Sequence, residues 1–236
     1  SRCLFMTVSR TICLGFLAVI FVGTCLLMLP FSTAAGEWNS LVTALFTSTS
    51  AVCVTGLSVV DVGKFYSFWG QLFILMLVQI GGLGYMTATT VLLLLLGKRL
   101  GLREKIAVQQ SLDVPGLSGL AGLLRSIIAT TLLFELTGVI LLMTVFLPQF
   151  RDRPLLALWQ SVFHSVNAFN NAGFSLFSDN LMQYVTNPIV NFTVTGLIIF
   201  GGIGYQVIME LYLWGRDCTS RNPKRSSFSL NFKVAI

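Results

Sequence analysis

The sequence predicts an all-α polytopic membrane protein, with tandem helix–pore loop–helix repeats around a central pore. Three observations predict it: a lipid-compatible composition, four long apolar runs, and two sequence blocks that recur in order. Of 236 residues, 55% are hydrophobic and 10% are charged. A soluble domain carries about 25% charged residues. The mean hydropathy is +0.82. These figures exclude a disordered chain and argue against an ordinary soluble enzyme.

A helix needs about 20 apolar residues to cross a bilayer. Runs 11–29, 65–97, 122–146 and 188–213 reach that length. The first two are uncharged; the third carries Arg125 and Glu135, and the fourth has Glu210 near its end. No convincing cleavage site follows the first run, so it reads as a span and not a leader. Two other uncharged runs are different. Run 38–60 holds eight Ser and Thr, and run 154–178 holds Gln160, His164, Asn167, Asn170 and Asn171 among its polar residues. Both are too polar for lipid and too apolar for solvated loops. Such segments enter the membrane inside a protein wall and leave on the same side.

Net charge is +6 and the pI about 9.3. The basic residues sit between apolar runs, which points to topology and not to nucleic acid. Twelve of the fifteen, including Arg2, Arg10, Lys98, Arg99 and Arg216, fall on one side, expected to be cytoplasmic. The other side holds Lys64, Arg151 and Arg153 against Glu37, Asp61, Asp152 and Asp179. That acidic balance either concentrates cations or merely solvates loops. The five cysteines lack metal-ligand spacing and read as small buried apolar residues.

The order helix, re-entrant segment, helix then occurs twice. Leu45-Phe46-Thr47-Ser48 matches Val162-Phe163-His164-Ser165, and Gly56-Leu57-Ser58 matches Gly173-Phe174-Ser175, all at offset 117. Gly81-Gly82-Leu83-Gly84-Tyr85 matches Gly201-Gly202-Ile203-Gly204-Tyr205 at offset 120. Each unit crosses twice, so both share one orientation, about an axis along the membrane normal.

Asn39 or Ser40 can cap a short helix over 41–50, and a second runs over about 155–166. Their negative C-terminal ends face the membrane centre and favour a cation there. The stretches after them, 51–56 and 168–173, each end in a glycine and carry no charged side chain. Rings of backbone carbonyls can replace the hydration shell of a potassium ion. The alternative is a pair of buried turns with no ion.

Val54-Thr55-Gly56 and Phe169-Asn170-Asn171-Ala172-Gly173 resemble the first two filters of the Trk/Ktr/HKT potassium transporter family. Gln79-Ile80-Gly81-Gly82-Leu83-Gly84 is similar to its inner-helix motif, and the whole is most like the bacterial Ktr members. The resemblance implies potassium uptake through one pore built from four such repeats. The implied filter residues are Cys53, Val54, Thr55, Gly56, Asn170, Asn171, Ala172 and Gly173; Gly81, Gly82, Gly84, Gly201, Gly202 and Gly204 are inner-helix glycines. The units would be 1–97 and 122–214, with cytoplasmic linkers 98–121 and 215–236, the second leading toward a missing third repeat. No bound cofactor or resident metal is expected; potassium is cargo, and sodium coupling or activation is left open. Implied partners are the remaining two repeats, a second copy as a homodimer, and a cytosolic nucleotide-binding ring. That ring would dock on the basic segments 98–105 and 216–233. The implied location is the bacterial plasma membrane, multi-pass, with both ends of this chain in the cytoplasm.

Two rivals stand beside this reading. One is a two-repeat homodimeric cation channel, though neither segment reads Gly-Tyr-Gly. The other is an intramembrane hydrolase using His164 and Ser175, but Gly173-Phe174-Ser175 lacks the strand–turn–helix setting of a nucleophile elbow. Glu135 is a functional candidate because an ionisable residue within a span needs a polar partner.

Overall fold

The computed structural model describes residues 2–96 and 117–203, and no β-strand occurs among them. Seven α-helices carry the fold: α1 Arg2–Met28, α2 Leu41–Val52, α3 Val62–Phe65, α4 Phe68–Leu96, α5 Leu117–Gln149, α6 Pro154–Phe169 and α7 Pro188–Ile203. The basic segments 98–105 and 216–233, and Gly204, lie outside the described residues. Helix α5 already begins at Leu117, so residues 117–121 are helical where the sequence suggests linker.

Local chemistry sets the short elements. Ser40 caps α2, its hydroxyl accepting from Thr43 N at 3.2 Å. Asn39 is used otherwise: its amide donates to Leu27 O at 3.2 Å and to Tyr66 Oη at 3.3 Å. Asp61 caps α3 by accepting from Gly63 N and Lys64 N. Pro154 and Pro188 open α6 and α7, where a missing N–H costs nothing.

Helix α2 packs against α1 and α4, and α6 packs against α5 and α7. The contacts recur in detail. Ser48 Oγ donates to Ile20 O at 2.9 Å, and Ser165 Oγ donates to Glu135 O at 2.7 Å. Gly23 and Gly138 leave room for those serines and for Leu77 and Leu197.

Helix α4 also holds α6. Trp159 Nε1 donates to Gln71 Oε1 at 2.7 Å, while Gln71 Nε2 donates to Tyr66 O at 3.0 Å. The main core is shared accordingly: Leu27, Val52, Tyr66 and Ile74 pack with Phe163 and Phe174. Large apolar side chains cover the outer faces, with Phe21 70% and Phe192 80% exposed. A surface of this kind suits lipid and would aggregate in water.

Segment Arg125–Gln149 is long and apolar enough to cross a membrane. Cys13–Met28, Phe68–Gly84 and Pro188–Ile203 are shorter apolar helices within the described residues. One expectation is overturned. Cys13, Cys25 and Cys53 are exposed, not buried, because the first two face outward from α1 and the third follows the end of α2.

Candidate functional site

Helices α2 and α6 end in the same way. Thr55 N donates to Ser50 O at 2.8 Å, and Val54 N to Ala51 O at 3.2 Å. At the matching positions Ala172 N donates to Asn167 O at 2.8 Å, and Asn171 N to Ala168 O at 3.1 Å. This is a Schellman ending, which places the residue after the cap in the left-handed region. Val54 has φ +55° and Asn171 has φ +58°. Two residues on, Gly56 has φ +76° and Gly173 has φ +77°.

The helices therefore run to Val52 and Phe169, beyond the expected ends near 50 and 166. A valine in the left-handed region is what sequence preferences disfavour. A Cβ in this conformation costs about 1–2 kcal/mol, and β-branched residues are genuine outliers there.

The last helical bonds and the Schellman bonds together use up the amide donors of residues 53–55 and 170–172. Among the described residues, no hydrogen bond ends on the carbonyl oxygens of Val54, Thr55, Gly56, Asn171, Ala172 or Gly173. Neither α2 nor α6 has a basic residue in its last turn. The segments thus combine free acceptors with the partial negative charge of two helix C-termini.

The segments also touch. A Cβ on Gly56 would run into the Ala172 carbonyl oxygen and come within 2.9 Å of Gly173 Cα. A Cβ on Gly173 would sit 3.6 Å from Gly56 Cα, an ordinary contact. Cys53 and Thr55 are exposed and Val54 is half-buried, whereas Asn170 and Ala172 are buried.

The inner-helix glycines seat the ends of α2 and α6. A Cβ on Gly81 would strike the Val52 carbonyl, and one on Gly201 would strike that of Phe169. A Cβ on Gly82 would strike the Asn170 side-chain amide, while one on Gly202 would sit 3.7 Å from the Asn171 side-chain amide. A Cβ on Gly84 would sit 3.4 Å from the Phe16 ring.

Asparagine side chains anchor the second segment. Asn170 Nδ2 donates to Gln79 Oε1 at 2.9 Å and to Glu135 Oε1 at 3.2 Å. This supplies the partner that Glu135 requires. Asn171 reaches α7. With its amide oriented to match donors to acceptors, Nδ2 donates to Ile198 O at 3.3 Å and Oδ1 accepts from Gly202 N at 3.2 Å.

His164 and Ser175 do meet, with Nε2 and Oγ 2.9 Å apart. Nδ1 faces the Gln160 carbonyl at 2.8 Å, so Nδ1 carries the proton and Nε2 accepts from Ser175. Ser175 Oγ also accepts from Phe177 N at 3.1 Å, and the Phe177 ring stacks on the imidazole. The pair braces the turn after the second segment. At the matching position Thr47 Oγ1 accepts from Tyr66 Oη at 3.1 Å. Nothing in the sequence ties Gln79 to Asn170 or Trp159 to Gln71; the available signal was two glutamines, Gln71 and Gln79, within an apolar, uncharged helix.

Comparison with known proteins decides the family. The TrkH model, described as a cation transport protein, matches residues 5–236. The chain belongs to the TrkH family. That family is one of membrane transporters and not of enzymes. The chain is 40% identical over 230 residues to the Ktr system potassium uptake protein B of Bacillus subtilis, covering 98% of this chain and 49% of the relative. Identity is 41% over 203 residues to the protein of the same name from Vibrio alginolyticus, covering 86% and 44%. It is 35% over 207 residues to the potassium/sodium uptake protein NtpJ of Enterococcus hirae, covering 88% and 46%. The chain spans about half the length of the curated relatives it matches.

Proposed function

We propose that this TrkH-family chain contributes two of four filter segments to a potassium-uptake pore in the bacterial plasma membrane. The observation that carries the reading is the pair of touching segments whose amides at 53–55 and 170–172 are spent and whose six carbonyl oxygens are free. A dehydrated cation needs such acceptors. The membrane potential would drive its entry, at about 2.3 kcal/mol per charge per 100 mV.

In this reading residues 1–97 and 122–214 are two helix–pore–helix units, joined and followed by cytoplasmic linkers. The relatives' greater length supports two further units in the whole protein. Both ends of this chain face the cytoplasm. The pore-forming subunit pairs with a second copy, and a cytosolic nucleotide-binding ring docks on segments 98–105 and 216–233. Sodium is the candidate coupling or activating ion, on the strength of the NtpJ name.

The test is uptake in a host that lacks its own potassium systems. The chain alone is compared with the native-length gene, carrying Gly56 or Gly56→Ser. Rescue by the long gene, with altered potassium-over-sodium preference in the serine variant, supports the reading. Rescue by the chain alone favours a dimeric two-repeat channel. An inserted serine variant with unchanged preference removes the filter assignment.

A further inference from the structure

A carboxyl placed within a span is expensive, and its neighbours indicate what it holds. Glu135 is 5% exposed, and its side chain faces Asn170, also 5% exposed. Asn170 is the C-cap of α6, so its position sets where Asn171, Ala172 and Gly173 begin. Three acceptors converge on its one amide nitrogen: Gln79 Oε1 at 2.9 Å, Glu135 Oε1 at 3.2 Å and Val166 O at 2.9 Å. Asn170 Oδ1 is buried with no partner among the described residues, held against Gly82. The amide is thus oriented by what accepts from its nitrogen, not by its oxygen.

The members come from different places. Gln79 lies on α4, Glu135 on α5 and Asn170 on α6. The matching positions are Ile199, Ile20 and Cys53, all non-acidic and none an amide. The polar set therefore changes as a unit, and the first segment is held without it.

We propose that Glu135 is a positioning residue for ion selectivity: with Gln79, it fixes Asn170 and thereby the carbonyls of the second segment. This rests on the filter reading and names a residue that never touches the ion. An acceptor oxygen at position 135 is the requirement, so an isosteric amide suffices.

The test uses the native-length protein in the same uptake host, reading sodium competition against potassium uptake, with membrane abundance measured in parallel. Glu135→Leu is expected to lose roughly tenfold in potassium-over-sodium preference, the scale of one lost buried hydrogen bond. Glu135→Gln should stay within about twofold of the parent, since it keeps the acceptor. Gln79→Leu should lose preference too. The double variant with Glu135→Leu should be no worse than the worse single, because both act through Asn170. Loss in Glu135→Gln equal to that in Glu135→Leu overturns the proposal in favour of a charge requirement. Unchanged preference in Glu135→Leu, with Gly56→Ser altered, overturns it while leaving the filter reading intact. Unchanged preference in Gly56→Ser removes the filter reading itself. If Glu135→Leu fails to insert, Gln79→Leu decides, and its unchanged preference sinks the proposal.

Discussion

The segments after α2 and α6 share a backbone and differ in what holds it. Both follow a Schellman ending and both place their second and fourth residues at positive φ. The second segment reaches this shape with asparagines. Asn171 tolerates the left-handed region, and its amide ties to α7. Asn170 ties to α4 and α5. The first segment has Cys53 and Val54 in those places and leans on apolar packing. Val54 is held in a conformation that its branched side chain resists. A strained residue persists only where the surroundings over-determine it, so the first segment stores strain that the second does not.

The sharpest way to break the comparison is at the glycines. Gly56→Ala meets both a positive φ and the Ala172 carbonyl, whereas Gly173→Ala meets only the positive φ. Gly173→Ala is expected to cost about 1–2 kcal/mol, and Gly56→Ala distinctly more. Thermal unfolding in detergent together with potassium uptake checks the order. Equal losses would mean that the contact between the segments is dispensable.

The inner helices differ next. Gly82→Ala drives a methyl into the Asn170 amide and should cost about 1–3 kcal/mol as overpacking. Gly202→Ala has room at 3.7 Å and should be neutral, or stabilising by up to about 1 kcal/mol through helix propensity. Unfolding midpoints of the two variants measure this directly.

A swap isolates the strain. Val54→Asn should stabilise by about 1 kcal/mol and Asn171→Val should destabilise by at least as much. If Val54→Asn destabilises instead, its apolar packing outweighs its backbone cost.

The smallest effect lies at the start of α3. Asp61 caps α3, and its carboxyl is held below the ordinary 3.8 chiefly by the Ser178 hydroxyl, then by Lys64. A lowered folded pKa contributes stability above the unfolded value and loses it as pH falls through the folded one. Asp61→Ala should therefore cost about 1 kcal/mol at neutral pH. The gap to the parent should close as pH falls below about 3.8. Stability measured along an acid series tests the sign.

Much of this was legible before any coordinate. The cap of α2, expected at Asn39 or Ser40 and found at Ser40, and the need of Glu135 for a partner both follow from local chemistry. The ends of α2 and α6 were not. Preference forbids a left-handed valine, and only packing enforces it at Val54. Nor was the identity of Glu135's partner, since Asn170 lies 35 residues away and Gln79 is on another helix.

By itself the sequence determined that this chain is made for lipid, that its units match at offsets 117 and 120, and that Gly56 and Gly173 can take positive φ. Those properties depend on composition, spacing and the freedom of single residues. Tertiary structure alone decided that Gly56 abuts Ala172, that Gly82 abuts Asn170, and that three helices share one amide. Each is a contact between segments far apart in the chain. Its existence depends on the rotation and depth at which helices pack, which no local pattern specifies.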